Sequence, residues 1–173
     1  MLFRSATNPA VSLPDLDRVR RILGRPDLFV VVQDAFMTET AQLADVVLPA
    51  ALWGEKTGTF TNVDRTVHIS HQAVDPPGQA RADFDIFLDF AHRMDLRDRD
   101  GAPLLKWRTP EECFEAWKEC TRGRPCDYTG MSYAMLTGSG GVQWPCNAQH
   151  PQGSRRIYTD HRFMTDAATC ETY

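Results

Sequence analysis

The stretch from Gln33 to Asn62 gathers residue types that can hold a polar ligand. Gln33 and Asp34 close a short apolar run, Leu28–Val32. Glu55, Lys56, Gly58, Thr59 and Asn62 follow in a loop rich in donors and small residues. An aspartate at a strand end can accept two parallel hydrogen bonds, from a guanine edge or a ribose diol. A lysine in such a loop can meet a phosphate or a ribose hydroxyl. Asn8 stands at a comparable place upstream, after the end of an earlier strand. The combination suggests a nucleotide-bearing ligand. Each residue also has a plainer use. Asn8 before Pro9 suits a turn, and Asp34 suits a cap on the turn that follows it. Glu55 and Lys56 suit a solvated charge pair worth under ~1 kcal/mol. Spacing alone leaves both readings open.

Other chemistries find less support. His68 and His71 are three residues apart beside a short alternating segment. On a strand that spacing puts them on opposite faces, which disfavours a shared metal. His92 falls on a helix amid charges, and His150 and His161 fall in loops. The cysteines at 113, 120, 126, 146 and 170 form no CxxC pair and no zinc or iron–sulfur spacing. An odd number without a pairing pattern suggests reduced thiols and a cytoplasmic protein. No Ser/His/Asp arrangement with a nucleophile-elbow sequence is present. Neither a catalytic residue nor a metal ligand is expected in this chain.

The elements that must position the polar residues are legible from about residue 7. Ser12, Pro14 and Asp15 read as a helix start, and Leu16, Val19, Ile22 and Leu23 fall on one helical stripe. Gly24 and Pro26 stop that helix. Leu28–Val32 has no alternation, as suits a strand buried on both faces of a parallel sheet. Thr38 can cap a short helix through Ala41, and Val46–Leu48 reads as a second buried strand. Such alternation predicts a parallel α/β sheet with right-handed crossovers. A GxGxxG fingerprint is lacking, so the usual NAD half-site is not expected.

Beyond residue 50 the character changes. Residues 53–65 read as loop, Thr66–Ser70 as a short strand, and 74–80 as a turn or linker around Pro76-Pro77-Gly78. Asp83–Met94 keeps helical spacing through Phe84, Phe87, Leu88, Ala91 and Met94. Thr109-Pro110-Glu111-Glu112 is a capping box opening another helix, and Met131–Leu136 suggests one more. From Gly138 on, the glycines and Gln143-Trp144-Pro145 suggest an exposed crossing between domains. Residues 155–165 read as short strand pieces. The expected fold is α/β: a partial Rossmann-like parallel sheet with flanking helices, then a helical and loop-rich extension.

The formal net charge of −4 over 173 residues argues against a nucleic-acid surface, which needs clustered Lys and Arg. No apolar stretch approaches the ~20 residues of a membrane span. Met1–Arg4 offers no signal-peptide core.

Several segments together resemble a known family. These are Ala6–Asp15, the run Gln33-Asp34-Ala35-Phe36-Met37-Thr38-Glu39-Thr40-Ala41, Ala44–Ala50, and Trp53-Gly54-Glu55-Lys56-Thr57-Gly58-Thr59-Phe60-Thr61-Asn62 with Arg65. They resemble the prokaryotic molybdopterin oxidoreductases of the dimethyl sulfoxide reductase type, which include nitrate reductases and formate dehydrogenases. Trp107–Glu112, Arg124–Tyr128 and Gly140–Asn147 look most like assimilatory-type nitrate reductase catalytic subunits.

The resemblance implies two molybdopterin guanine dinucleotides on one molybdenum, and often a [4Fe–4S] cluster in an N-terminal domain. It implies that residues 1–137 are part of the α/β domain that grips one guanine dinucleotide arm. Residues 138–173 would be a linker and the start of a C-terminal β-rich domain, beginning near Gln143 and cut off at Tyr173. Carried over by motif, Asn8, Gln33, Asp34, Lys56 and Asp83 contact the cofactor, the division of roles between Asp34 and Asp83 staying open. The cluster cysteines and the molybdenum ligand would lie upstream, so the chain reads as an internal fragment, inactive alone. Met1–Ser5 does not look like the strand the family has there. The whole protein would reduce nitrate, a small anion, to nitrite, with electrons from a donor protein or domain. The alternatives are a formate dehydrogenase of the same family, or a nucleotide-binding or interaction module without a redox role.

Overall fold

The computed structural model describes residues 2–157 and 159. It divides into two compact units, one of residues 1–56 and 71–106, the other of residues 57–70 and 107–173.

The first unit is built on a parallel sheet. β1 (Leu2–Ser5), β2 (Val30–Asp34) and β3 (Val46–Pro49) lie in that order, with Leu2 opposite Val30 and Val31 opposite Val46. The central strand β2 is more buried than β3, and Val30 and Val32 are fully buried there against Ala41. Each such valine contributes roughly 1.5–3 kcal/mol relative to exposure. Residues 2–5 therefore do form a strand, contrary to the sequence expectation. An edge strand needs only one hydrogen-bonded neighbour, so it does not require the continuous apolar run that betrays a central one. β3 is likewise less buried than expected: Val46 is 38% exposed, because β2 is its one partner strand among the described residues.

Short helices connect the strands. α1 (Pro9–Ser12) begins directly at Pro9, and α2 (Leu16–Leu23) follows, closed by Gly24. Of the α2 stripe only Leu23 is buried, while Ile22 is exposed. After β2 the backbone makes a 3-10 turn at Ala41–Leu43 rather than an α-helix, with the Thr38 hydroxyl accepting from the Ala41 amide at 3.2 Å. α3 (Asp83–Arg93) runs close to the expected bounds. It buries Ile86 and Ala91, whereas Phe87 and Met94 are exposed.

The second unit is a small antiparallel sheet under two helices. β4 (Gly58–Thr61), β5 (Thr66–Ser70) and β6 (Val142–Gln143) are hydrogen-bonded in that order. The expected loop over 53–65 thus holds a 3-10 turn at Trp53–Glu55 and half of a hairpin. α4 (Pro110–Glu119) starts at the expected cap: the Thr109 hydroxyl accepts from Glu112 N at 3.1 Å, while the Glu112 carboxylate accepts from Arg108 N at 2.6 Å, one residue before the amide that a capping box uses. α5 (Tyr133–Ser139) is capped by Ser132, whose hydroxyl accepts from Met135 N at 3.2 Å. In the stretch expected as an exposed crossing, Gly138, Ser139 and Gly140 are exposed, whereas residues 141–147 are half-buried or buried. Val142 is 3% exposed and Cys146 is fully buried, packed with Val67, Phe114, Tyr128, Met131 and Leu136. Arg65 adds a clamp, donating to the carbonyls of Trp144, Ser154 and Arg155 while stacking on the Trp144 ring. His161, Cys170 and the strand pieces expected beyond residue 159 lie outside the described residues.

Asp127 organises the loop before α5. Burial pushes its carboxyl up. Hydrogen bonds from the Thr129 hydroxyl and amide, from Gly123 N and from the Asn147 amide outweigh that and hold it at about 2. A carboxylate depressed below its unfolded value stabilises the fold above that value and loses the contribution as pH falls through the folded one. Acid titration of unfolding should therefore show wild-type stability falling between about pH 4 and pH 2, and Asp127→Asn should lack that fall. Identical acid profiles for the two proteins would contradict this account.

Candidate functional site

The polar residues singled out by the sequence lie at the carboxyl ends of the parallel strands, where ligands of open α/β sheets bind. Gln33 sits opposite Ser5 and Leu48, and Asp34 sits opposite Pro49. Their carbonyls accept from Ala6 N at 3.0 Å and Ala50 N at 3.1 Å, so both backbones are fixed by neighbours on either side.

Asp83 reaches this place through a bridge at the edge of the sheet. Ala50 and Arg81 pair in parallel, with Ala51 N donating to Arg81 O at 2.8 Å and Arg81 N to Pro49 O at 3.1 Å. Two residues later Asp83 opens α3, where the helix dipole favours a carboxylate. Its Oδ1 accepts from Gln33 Nε2 at 2.5 Å, and its Oδ2 from Lys56 Nζ. Lys56 also donates to Ala51 O at 3.0 Å. The lysine and aspartate side chains are 22% and 31% exposed, so this pair is neither dry nor freely solvated. Glu55 is not its partner. It accepts instead from Leu52 N at 2.7 Å and closes its own turn.

Gln33 is fully buried, and its Oε1 has no hydrogen-bond partner. A buried carbonyl without a donor is costly, roughly 1–3 kcal/mol. The neighbouring Asp34 is half-buried and engages one oxygen, Oδ1, with Phe36 N at 3.1 Å, the turn-capping contact expected of it.

Asn8 belongs to a separate cluster. Its Oδ1 accepts from the Thr40 hydroxyl at 2.7 Å and from Thr40 N at 3.2 Å, and its Nδ2 donates to Glu39 at 2.7 Å. That bond, ahead of other contacts, holds the exposed Glu39 carboxyl below its ordinary range. The structure thus joins Gln33, Lys56 and Asp83 directly, sets Asp34 beside them along β2, and keeps Asn8 at the end of β1. Gly58, Thr59 and Asn62 fall in the other unit, on β4 and its turn. Thr40 was read only as part of a motif; full burial of a hydroxyl gave no sequence signal. Among the described residues no group of three His, Cys, Asp or Glu side chains gathers as a metal site, and no helix is long and apolar enough to cross a membrane. The first unit also has a cavity of about 390 Å3, whose lining combines Leu48, Pro49, Ile86 and Phe90 with the polar Gln79, Arg81, Asp89 and Arg93. None of the five candidate residues lines it.

The molybdopterin oxidoreductase family model matches residues 1–93, more than half of the chain. The chain belongs to that family. It is 39% identical over 166 residues to a nitrate reductase of Synechocystis sp., covering 93% of this chain and 22% of the relative. It is 39% identical over 165 residues to the alpha subunit of a formate dehydrogenase of Methanocaldococcus jannaschii, covering 95% of this chain and 23% of the relative. The assimilatory nitrate reductase catalytic subunit of Bacillus subtilis is 36% identical over 92% of this chain and 22% of its own length. The chain therefore spans about a fifth of the length of the curated relatives it matches. The family is one of molybdopterin enzymes, and the matched residues include all five candidate positions.

Removing the shared carboxylate should be felt as stability. Asp83→Ala leaves Gln33 Nε2 and Lys56 Nζ without their acceptor, and a cost of about 1–3 kcal/mol is expected in urea unfolding. Lys56→Ala, which leaves the Gln33 bond intact, should cost less. Equal stability of Asp83→Ala and wild type would show that the network does not hold the site.

Proposed function

We propose that the strand ends of the first unit grip one guanine dinucleotide arm of a molybdopterin cofactor, through Asn8, Gln33, Asp34, Lys56 and Asp83. The observation that carries this reading is the buried, unpartnered Gln33 Oε1 beside two partly exposed carboxylates and an ammonium. The donor set suits such an arm. Lys56 can donate to a phosphate or a ribose hydroxyl, and Gln33 Oε1 lacks a donor that an amino or hydroxyl group would supply. Both Asp83 oxygens are already occupied by Gln33 and Lys56. Asp34 keeps Oδ2 outside the network, so Asp34 is the carboxylate assigned to the guanine edge or ribose diol, and Asp83 the one that holds Gln33 and Lys56 in place.

When bound, such a cofactor supplies two-electron redox chemistry at molybdenum; the protein groups bind and orient it. For the whole protein we propose nitrate reduction to nitrite with electrons from a donor protein or domain, supported by the nitrate reductases among the relatives. A formate dehydrogenase is the second reading, favoured by a relative of equal identity. A cytoplasmic location belongs to the same proposal and is supported by free thiols at Cys113, Cys120, Cys126 and Cys146.

The test uses GDP as a probe of the guanine diphosphate arm, titrated calorimetrically into the 173-residue chain. Binding is expected, tighter for GDP than for ADP, and Asp34→Ala should weaken it about tenfold, the loss of one charge-assisted hydrogen bond. Absence of GDP binding, or an Asp34→Ala protein that binds as wild type, would overturn the assignment.

A further inference from the structure

The deepest hydroxyl at the strand ends is not one of the five candidate residues. Thr40 is fully buried. Its hydroxyl donates to Asn8 Oδ1 at 2.7 Å and accepts from Ala10 N at 3.0 Å, and its own amide donates to Asn8 Oδ1 at 3.2 Å. One side chain thereby ties the segment after β2 to the first turn of α1 and to the carboxamide of Asn8, the residue before that helix. Asn8 occupies the position before α1, yet makes no cap bond to its own helix. Its oxygen is fully taken up by Thr40 instead. Two donors on one oxygen also fix which end of the carboxamide is which: Nδ2 must point the other way. There one hydrogen goes to Glu39, and the second remains for another acceptor.

We propose that Thr40 is a positioning residue: it sets the orientation of the Asn8 carboxamide, so that its Nδ2 is presented as a donor beside the strand ends. This rests on the reading of Asn8 as a cofactor contact. Thr40 does not itself touch the ligand. A hydroxyl is required at position 40 because the group must donate to Asn8 and accept from Ala10 at once. Serine satisfies both roles; valine, of the same shape, satisfies neither. A buried Thr that served packing alone would tolerate valine better than serine, so the two substitutions separate the roles.

The experiment compares wild type, Asn8→Ala, Thr40→Val, Thr40→Ser and Thr40→Ala by GDP titration, with thermal melts and exchange of the Asn8 side-chain amide followed by NMR. Weakening of about tenfold is expected for Asn8→Ala and Thr40→Val, and less than about twofold for Thr40→Ser, each figure being one hydrogen bond lost or kept. Asn8 amide exchange should be slow in wild type and Thr40→Ser and fast in Thr40→Val. If Thr40→Val fails to melt cooperatively, Thr40→Ala serves in its place. A folded Thr40→Val or Thr40→Ala that binds GDP as wild type while Asn8→Ala is weakened overturns the positioning role and leaves the cofactor reading standing. Asn8→Ala binding as tightly as wild type overturns the cofactor role of Asn8, and this inference with it.

Discussion

One carboxylate joins three of the five candidate residues. Asp83 accepts from Gln33 on the central strand and from Lys56 in the loop after β3. It opens the helix that follows the long excursion back to the sheet edge. Three chain segments, separated by 50 and 27 residues from Asp83, converge on two oxygens. The arrangement costs something in return: Gln33 is dragged into full burial with its carbonyl oxygen unsatisfied. Natural folds rarely leave such an atom without a reason. A site that waits for a ligand donor is such a reason, and it is why polar groups at a strand end gain meaning that surface charges lack.

The division of labour between the two units follows from their sheets. The parallel sheet leaves its strand ends open on one side, which is where sequence-distant polar groups can meet. The antiparallel sheet of the other unit closes on a core that includes Phe114 and Tyr128, and the more exposed Trp117 ring packs on both, at 6.0 Å and 4.5 Å. Its polar residues are spent on structure. Asp127 satisfies four donors within its own loop and neighbourhood, and Lys118, though buried, donates to Glu115 and to the Met131 carbonyl.

Much of this was legible from residues alone, and the rest was not for physical reasons. The β2 run announced itself because a central parallel strand must be apolar on both faces. The α4 start announced itself because capping is local. β1 was missed because an edge strand has a weak apolar signature. β6 was missed because two residues become a strand only by pairing with β5, some 75 residues away. Gln33, Asp34 and Lys56 were found by type and position at strand ends. The pairing of Lys56 with Asp83 was not, since it depends on the Ala50–Arg81 bridge. Thr40 carried no signal because a buried hydroxyl and a solvated one are the same letter.

The central claim is that the ligand sits at these strand ends and not in the cavity against α3. Residue-resolved NMR of the chain during GDP addition tests it most directly. The account predicts that chemical shifts move at Asn8, Gln33, Asp34, Lys56 and Asp83, including the side-chain amides of Asn8 and Gln33. Shifts confined to Leu48, Ile86, Phe90 and Arg93 around the cavity, with the strand-end amides unmoved, would contradict it.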